Sequence, residues 1–183
     1  GNDKNIPWAN TANAIALMVK SSAASDRPQT AVLLSPASSL RGLAIEPSDL
    51  LDTGVKLIVV HGDEDIFAGR GLTEVCHTTN NADGVAAVRD YLTRQWGGLL
   101  FANLVDFDML YGHRNDPRGY ADALEWFDAQ LPSLESGLQR HDVLMLTADH
   151  GNDPTSTSTD HSRERVPLLV TGPRVRMGVN LGT

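Results

Sequence analysis

Three short stretches of this chain hold nearly all of its plausible metal ligands. The first runs Val105-Asp106-Phe107-Asp108-Met109-Leu110-Tyr111-Gly112-His113-Arg114. The second is Thr147-Ala148-Asp149-His150-Gly151-Asn152-Asp153, and the third is Thr159-Asp160-His161-Ser162-Arg163-Glu164. Each sets an imidazole beside carboxylates, and the first two follow directly on an apolar run. Mixed carboxylate and imidazole ligands suit Mn²⁺, Zn²⁺ or Fe²⁺, whereas Mg²⁺ or Ca²⁺ favours a cage of oxygens. With no Cys in any of the three stretches, thiolate-bound structural zinc is disfavoured. Two cations about 4 Å apart would clamp the attacking and leaving oxygens of an in-line phosphoryl transfer.

Such ligands need elements to hold them, and the sequence alternates strand-like and helix-like segments. Ala12–Lys20 carries apolar residues at helical spacing, Thr30–Ser35 (TAVLLS) is a short apolar run, and Pro36–Asp52 reads as loop. Val55–His61 (VKLIVVH) is continuous and β-branched, as expected of a strand covered on both faces. Asp83–Gln95 reads as a helix capped by Asp83 or Asn81, with Val85, Val88, Tyr91 and Leu92 sharing a face. Gly98–Val105 is a second buried strand. Asp116-Pro117 then opens a long helix whose Tyr120, Leu124, Phe127, Leu131 and Leu134 would pack on the sheet. Asp142–Thr147 and Val166–Thr171 complete the strands. This order predicts an α/β sheet with right-handed crossovers, which binds ligands beyond the carboxyl ends of its strands. Asp106, Asp108, Asp149 and His150 lie there.

With 183 residues the chain fits one compact domain. Its net charge of −8 argues against nucleic acid, which demands a basic stripe. Apolar runs such as Leu57–Val60 and Val166–Val170 are too short to span a bilayer. One cysteine, Cys76, forms no internal disulfide and suggests a reducing cytoplasm. Oligomeric state leaves no mark on the sequence.

Taken together, FANLVDFDMLYGHRNDPRGYADALEWFDAQLP and TADHGNDPT…TDHSRERVPLLV…GVNLGT resemble the phosphopentomutase signature. EDIFAGRG (Glu64–Gly71) and HTTNNADGV (His77–Val85) resemble segments that precede it, so the likeness covers roughly residues 55 to 183. Residues 1–54 match poorly. The resemblance implies an alkaline phosphatase-like core: a three-layer α/β sandwich with a mostly parallel sheet, its cap domain absent or reduced. It implies two Mn²⁺ ions, one held by Asp108, His113 and His161 and the other by Asp149 and His150. It also implies transfer of a phosphoryl group between O1 and O5 of ribose or 2-deoxyribose through a phosphorylated threonine, with a pentose phosphate as the small-molecule partner. The cofactor-independent phosphoglycerate mutases share the Ala-Asp-His-Gly-Asn string. There the upstream Asp and His stand four apart; Asp108 and His113 stand five apart, with Tyr111 inserted.

The same likeness calls for a further Asp from an N-terminal strand, for a nucleophilic Thr and for a phosphate-binding Lys. Residues 1–54 contain no Asp-Ser-x-Gly; Thr11 is the nearest candidate nucleophile, and Gly62 stands where the Lys is expected. A truncated or non-catalytic metal-binding fragment is therefore the alternative expectation, with a metal-dependent phosphatase as a third. Asp106 is expected to orient the loop or a ligand. Asp106, Asp153 and Asp160 are candidate acceptors for the outer N–H of the histidines. Arg114 and Arg163 could grip phosphate or pair with Asp116 and Glu164. His61 and His77 read as satisfied scaffold histidines, His141 as exposed, and Cys76 as inert.

Overall fold

A computed structural model describes residues 30–35, 56–61, 72–163 and 165–180. The helix expected over Ala12–Lys20, the loop over Pro36–Asp52, Thr11, Gly62 and Glu64–Gly71 lie outside them.

Six strands form one sheet: β1 (Thr30–Ser35), β2 (Lys56–His61), β3 (Glu74–His77), β4 (Gly98–Asn103), β5 (Val143–Thr147) and β6 (Leu168–Thr171). Their spatial order is β3-β2-β4-β1-β5-β6. All neighbours pair parallel except β5 and β6, which are antiparallel. Strand alternation divides β2 and β4 between two faces. Ile58, Val60, Leu100 and Ala102 join the main core with Val85, Val88, Tyr91, Leu92 and Leu134 of the helices. Leu99, Phe101 and Asn103, on the opposite face, are also buried. Both faces of the sheet are thus covered, as a three-layer α/β sandwich requires.

Helix α1 (Asn81–Thr93) buries the face expected of it, but its cap is neither Asp83 nor Asn81. Asn80, in extended backbone, accepts the Asp83 N–H at 2.9 Å. Asp83 reaches back to the Thr79 hydroxyl and N–H, a reciprocal arrangement of the capping-box kind. Asn81 is spent elsewhere: its N–H donates to Asp106 Oδ2 at 2.8 Å and its Oδ1 accepts the Asp106 N–H at 3.1 Å. That pair ties the start of α1 to the turn leaving β4.

The long helix expected after Asp116 is broken into α2 (Pro117–Asp128) and α3 (Leu131–Gly137). Asp116 caps α2 through the Gly119 N–H at 2.9 Å. Pro132, which lacks an N–H to continue the hydrogen-bond ladder, enters α3 in its first turn. Tyr120, Ala123 and Phe127 carry the half-buried stripe of α2, whereas Leu124, at the stripe's margin, is 46% exposed. Leu131 and Leu134 pack from α3 instead.

Tyr91 joins α1 to the short strand β3 through its hydroxyl, which donates to Glu74 Oε1 at 2.7 Å. Burial, helped by the Glu74 carboxylate, pushes its phenol from 10.0 up to about 12. In the unfolded chain the phenol ionises near its ordinary value, so the fold keeps a proton that the unfolded chain has lost. The stabilisation is complete below pH 10 and disappears as the pH climbs through about 12. Thermal unfolding followed from pH 9 upward should show this alkaline loss in the native protein. Tyr91→Phe should flatten it.

Candidate metal centre

Two strand ends and one loop converge on a buried carboxylate. After β4 the chain turns at Leu104–Asp106 and enters a π-helix, Phe107–Gly112. Its register is seen in the His113 N–H, which donates to the Asp108 carbonyl five residues back at 2.9 Å. This winding answers the five-residue spacing. In an α-helix at 3.6 residues per turn, residues five apart point about 140° away from one another; a π-turn closes i to i+5 and brings them together. Asp108 Oδ2 accordingly lies 3.1 Å from His113 Nε2.

The third stretch completes the cluster. His161 Nε2 lies 3.7 Å from Asp108 Oδ1 and 3.2 Å from His113 Nε2. The His150 ring stacks on His161, with centroids 3.6 Å apart and planes at 21°. Ligand atoms of Asp108, His150 and His161 all fall within 4.8 Å of one another. Asp149, buried at the end of β5, has Oδ1 3.5 Å from His150 Nε2. His150 therefore stands between Asp149 and the Asp108 group. An antiparallel bridge, Gly151 to Ser162, holds the second stretch against the third.

His113 and His150 are oriented by carbonyls, not by Asp106, Asp153 or Asp160. His113 Nδ1 bonds the Thr159 carbonyl, and His150 Nδ1 lies 3.2 Å from the Gly151 carbonyl. Nδ1 donating to that carbonyl would leave the His113 Nε2 lone pair for a cation beside Asp108. Asp106 is occupied with Asn81, so it orients the loop. Asp153 accepts from the Thr155 hydroxyl and N–H, which hold its carboxyl below the usual range. The Asp160 N–H donates to Ser158 Oγ at 3.1 Å.

The donor set fits a divalent cation. Burial lowers the His161 pKa from 6.5, and the neighbouring His150 lowers it further against the pull of Asp108. The neutral imidazole, the form that ligates metal, is thereby favoured. His150 Nε2 is buried without a hydrogen-bond partner among the described residues. Three imidazoles gathered on one buried carboxylate would repel one another if protonated, and a cation resolves that crowding.

Between the ligand-bearing strands β4 and β5 runs β1. Its sequence, TAVLLS, contains no carboxylate, so the additional Asp expected from an N-terminal strand is not in β1. His61 is fully buried, and neither ring nitrogen has a hydrogen-bond partner among the described residues, contrary to a satisfied scaffold histidine. His77 is exposed, while His141 is half-buried beside Arg174. Arg114 Nε donates to the Met109 carbonyl at 3.3 Å, a local contact that differs from the expected Asp116 pair. Asn152 escaped the sequence reading: its amide donates to Asp108 Oδ1 at 2.8 Å. Only its place two residues after His150 hinted at a role.

The model of the metalloenzyme superfamily matches residues 46–183. A phosphopentomutase of Acetivibrio thermocellus is 53% identical over 133 residues, covering 73% of this chain and 34% of that protein. One from Lachnoclostridium phytofermentans is 51% identical over 136 residues, covering 74% of this chain and 35% of that protein. The chain thus spans about a third of the length of the curated relatives it matches. Among solved structures, a phosphoglycerate mutase of Leishmania mexicana, studied at low cobalt concentration, superposes with a TM-score of 0.60 at 16% identity. The match takes in 75% of this chain and 33% of that one. At that identity it speaks for the fold alone. No helix among the described residues is long and apolar enough to cross a membrane.

Proposed function

The chain belongs to the metalloenzyme superfamily, and from that premise we propose that it supplies the two-cation part of a phosphopentomutase site. The observation that carries this reading is the convergence of Asp108, His113 and His161, all within 3.7 Å across two separate stretches. One Mn²⁺ would be held by those three residues and a second by Asp149 and His150. Bound there, the cations supply charge neutralisation of the phosphoryl oxygens and a lowered pKa for the attacking hydroxyl. The chain's own part is to hold Asp108 and Asp149 buried, and to fix the His113 ring by bonding its Nδ1 to the Thr159 carbonyl, which would leave Nε2 for a cation. The substrate is a ribose or 2-deoxyribose phosphate, whose phosphoryl group is transferred between O1 and O5, in a cytoplasmic setting. No threonine among the described residues is assigned as nucleophile.

A second reading, a metal-binding portion without turnover of its own, is favoured by one observation. The sheet position between β4 and β5 is filled by a strand lacking a carboxylate.

The test is conversion of ribose 1-phosphate to ribose 5-phosphate with Mn²⁺ and a sugar bisphosphate as primer. Turnover that vanishes in Asp149→Ala supports the mutase; Mn²⁺ binding without turnover supports the second reading. In the same protein, His161→Ala should weaken one Mn²⁺ by more than the roughly ten- to hundredfold that loss of a merely orienting partner costs, while the other persists. Calorimetry returning unchanged stoichiometry and affinity would sink the His161 assignment.

A further inference from the structure

The Asp108 carboxylate uses its two oxygens differently. Oδ2 faces His113 Nε2 at 3.1 Å, while Oδ1 accepts the Asn152 amide at 2.8 Å and lies farther, 3.7 Å, from His161 Nε2. The amide thereby fixes the plane of a carboxylate that is only 2% exposed, leaving Oδ2 as the oxygen turned to the His113 ring. Asn152 is itself well placed to hold still. It follows Gly151, whose carbonyl accepts the Ser162 N–H at 2.9 Å, so the residue that orients Asp108 is anchored beside the loop carrying His161.

Room for this amide comes from the π-helix. A Cβ added to Gly112 would sit 2.6 Å from Asn152 Cγ and closer still to its Nδ2. Atoms do not approach so closely, so an alanine there displaces the amide from Asp108. The clash falls on the polar group that makes the hydrogen bond, and Asn152, tied into a bridged loop, has little freedom to retreat.

We propose that Asn152 is a positioning residue that sets Asp108 for coordination through one oxygen, and that Gly112 is the spacer that admits it. This rests on the reading of Asp108 as a metal ligand and adds two residues to it. An amide suits the task because it donates to a carboxylate without bringing a second negative charge against it. Partners of this kind orient metal ligands, and their loss typically costs about ten- to a hundredfold in affinity.

The experiment is Mn²⁺ calorimetry on the whole chain, comparing wild type, Asn152→Leu, Gly112→Ala and the double variant, with Asp108→Ala to mark which binding event belongs to Asp108. Asn152→Leu keeps approximate size and removes the donor; Gly112→Ala leaves every polar group in place and only moves the amide. Each single variant should lose about ten- to a hundredfold in that event, with any other Mn²⁺ event within about twofold. The double variant should be no worse than the weaker single, because both act through one hydrogen bond. The Mn²⁺ paramagnetic resonance spectrum should change alike in both singles. Unaltered affinity in Asn152→Leu, equal losses at every event, or an additive double variant overturns the proposal while leaving the metal reading standing. A folded wild type that takes up no Mn²⁺ overturns the metal reading and this inference with it.

Discussion

Asp108→Ala should abolish one Mn²⁺ binding event outright and remove the thermal stabilisation that this ion confers. The expectation follows from what meets at this side chain: His113 at 3.1 Å, His161 at 3.7 Å and the Asn152 amide at 2.8 Å. The histidines and the amide come from three different stretches of the chain. A ligand that binds only the folded state stabilises it, by about 2.7 kcal/mol at a hundredfold excess over its Kd. That gain, read as the difference in melting temperature with Mn²⁺ and with EDTA, should shrink by the share of the Asp108 ion. The metal-free variant should still melt cooperatively, since the sheet and the helix-facing core do not depend on this residue. A full Mn²⁺-dependent shift in Asp108→Ala would rule the carboxylate out as a ligand.

The parts of this molecule that were legible in advance are those where a local pattern and the global packing agree. KLIVVH, GLLFAN and VLMLT are apolar runs because parallel strands are buried on both faces, and each forms the strand expected. Strand β3 is only EVCH, four residues with exposed neighbours at an edge of the sheet, and it lacks any such run. The helix break at Pro132 was visible as a residue, yet the apolar spacing from Tyr120 to Leu134 ran straight across it. At the site, the stretches were plain because Asp and His recur at the ends of apolar strands. Their mutual geometry was not. A spacing of five between Asp108 and His113 carries no direction until the winding is known, and only the π-helix turns that count into proximity. Asn152 and Gly112 were invisible for a related reason: an amide in a turn-rich string and a glycine near a histidine each have bland explanations, and the contact between them is tertiary.

Phe107 links the core to that winding, and its loss should be strongly destabilising. It is 1% exposed, stands at the first position of the π-helix, and meets Phe127 edge-on at 6.2 Å and Tyr120 at 5.8 Å. Truncating a buried phenylalanine to alanine costs about 3–5 kcal/mol, because the cavity relaxes only in part. For a chain of this size that corresponds to a drop in melting temperature on the order of 10 °C. Phe107→Leu, which retains much of the volume, should cost less than about 1.5 kcal/mol. The aromatic ring is also what seats the residue before Asp108, so Phe107→Ala should lower Mn²⁺ affinity along with stability, whereas Asp108→Ala should lower the first and largely spare the second. Chemical denaturation of the metal-free proteins, set beside their Mn²⁺ titrations, separates the two. If Phe107→Ala binds Mn²⁺ as tightly as the native chain, the π-helix keeps its geometry without its apolar anchor, and the ligands themselves must define it.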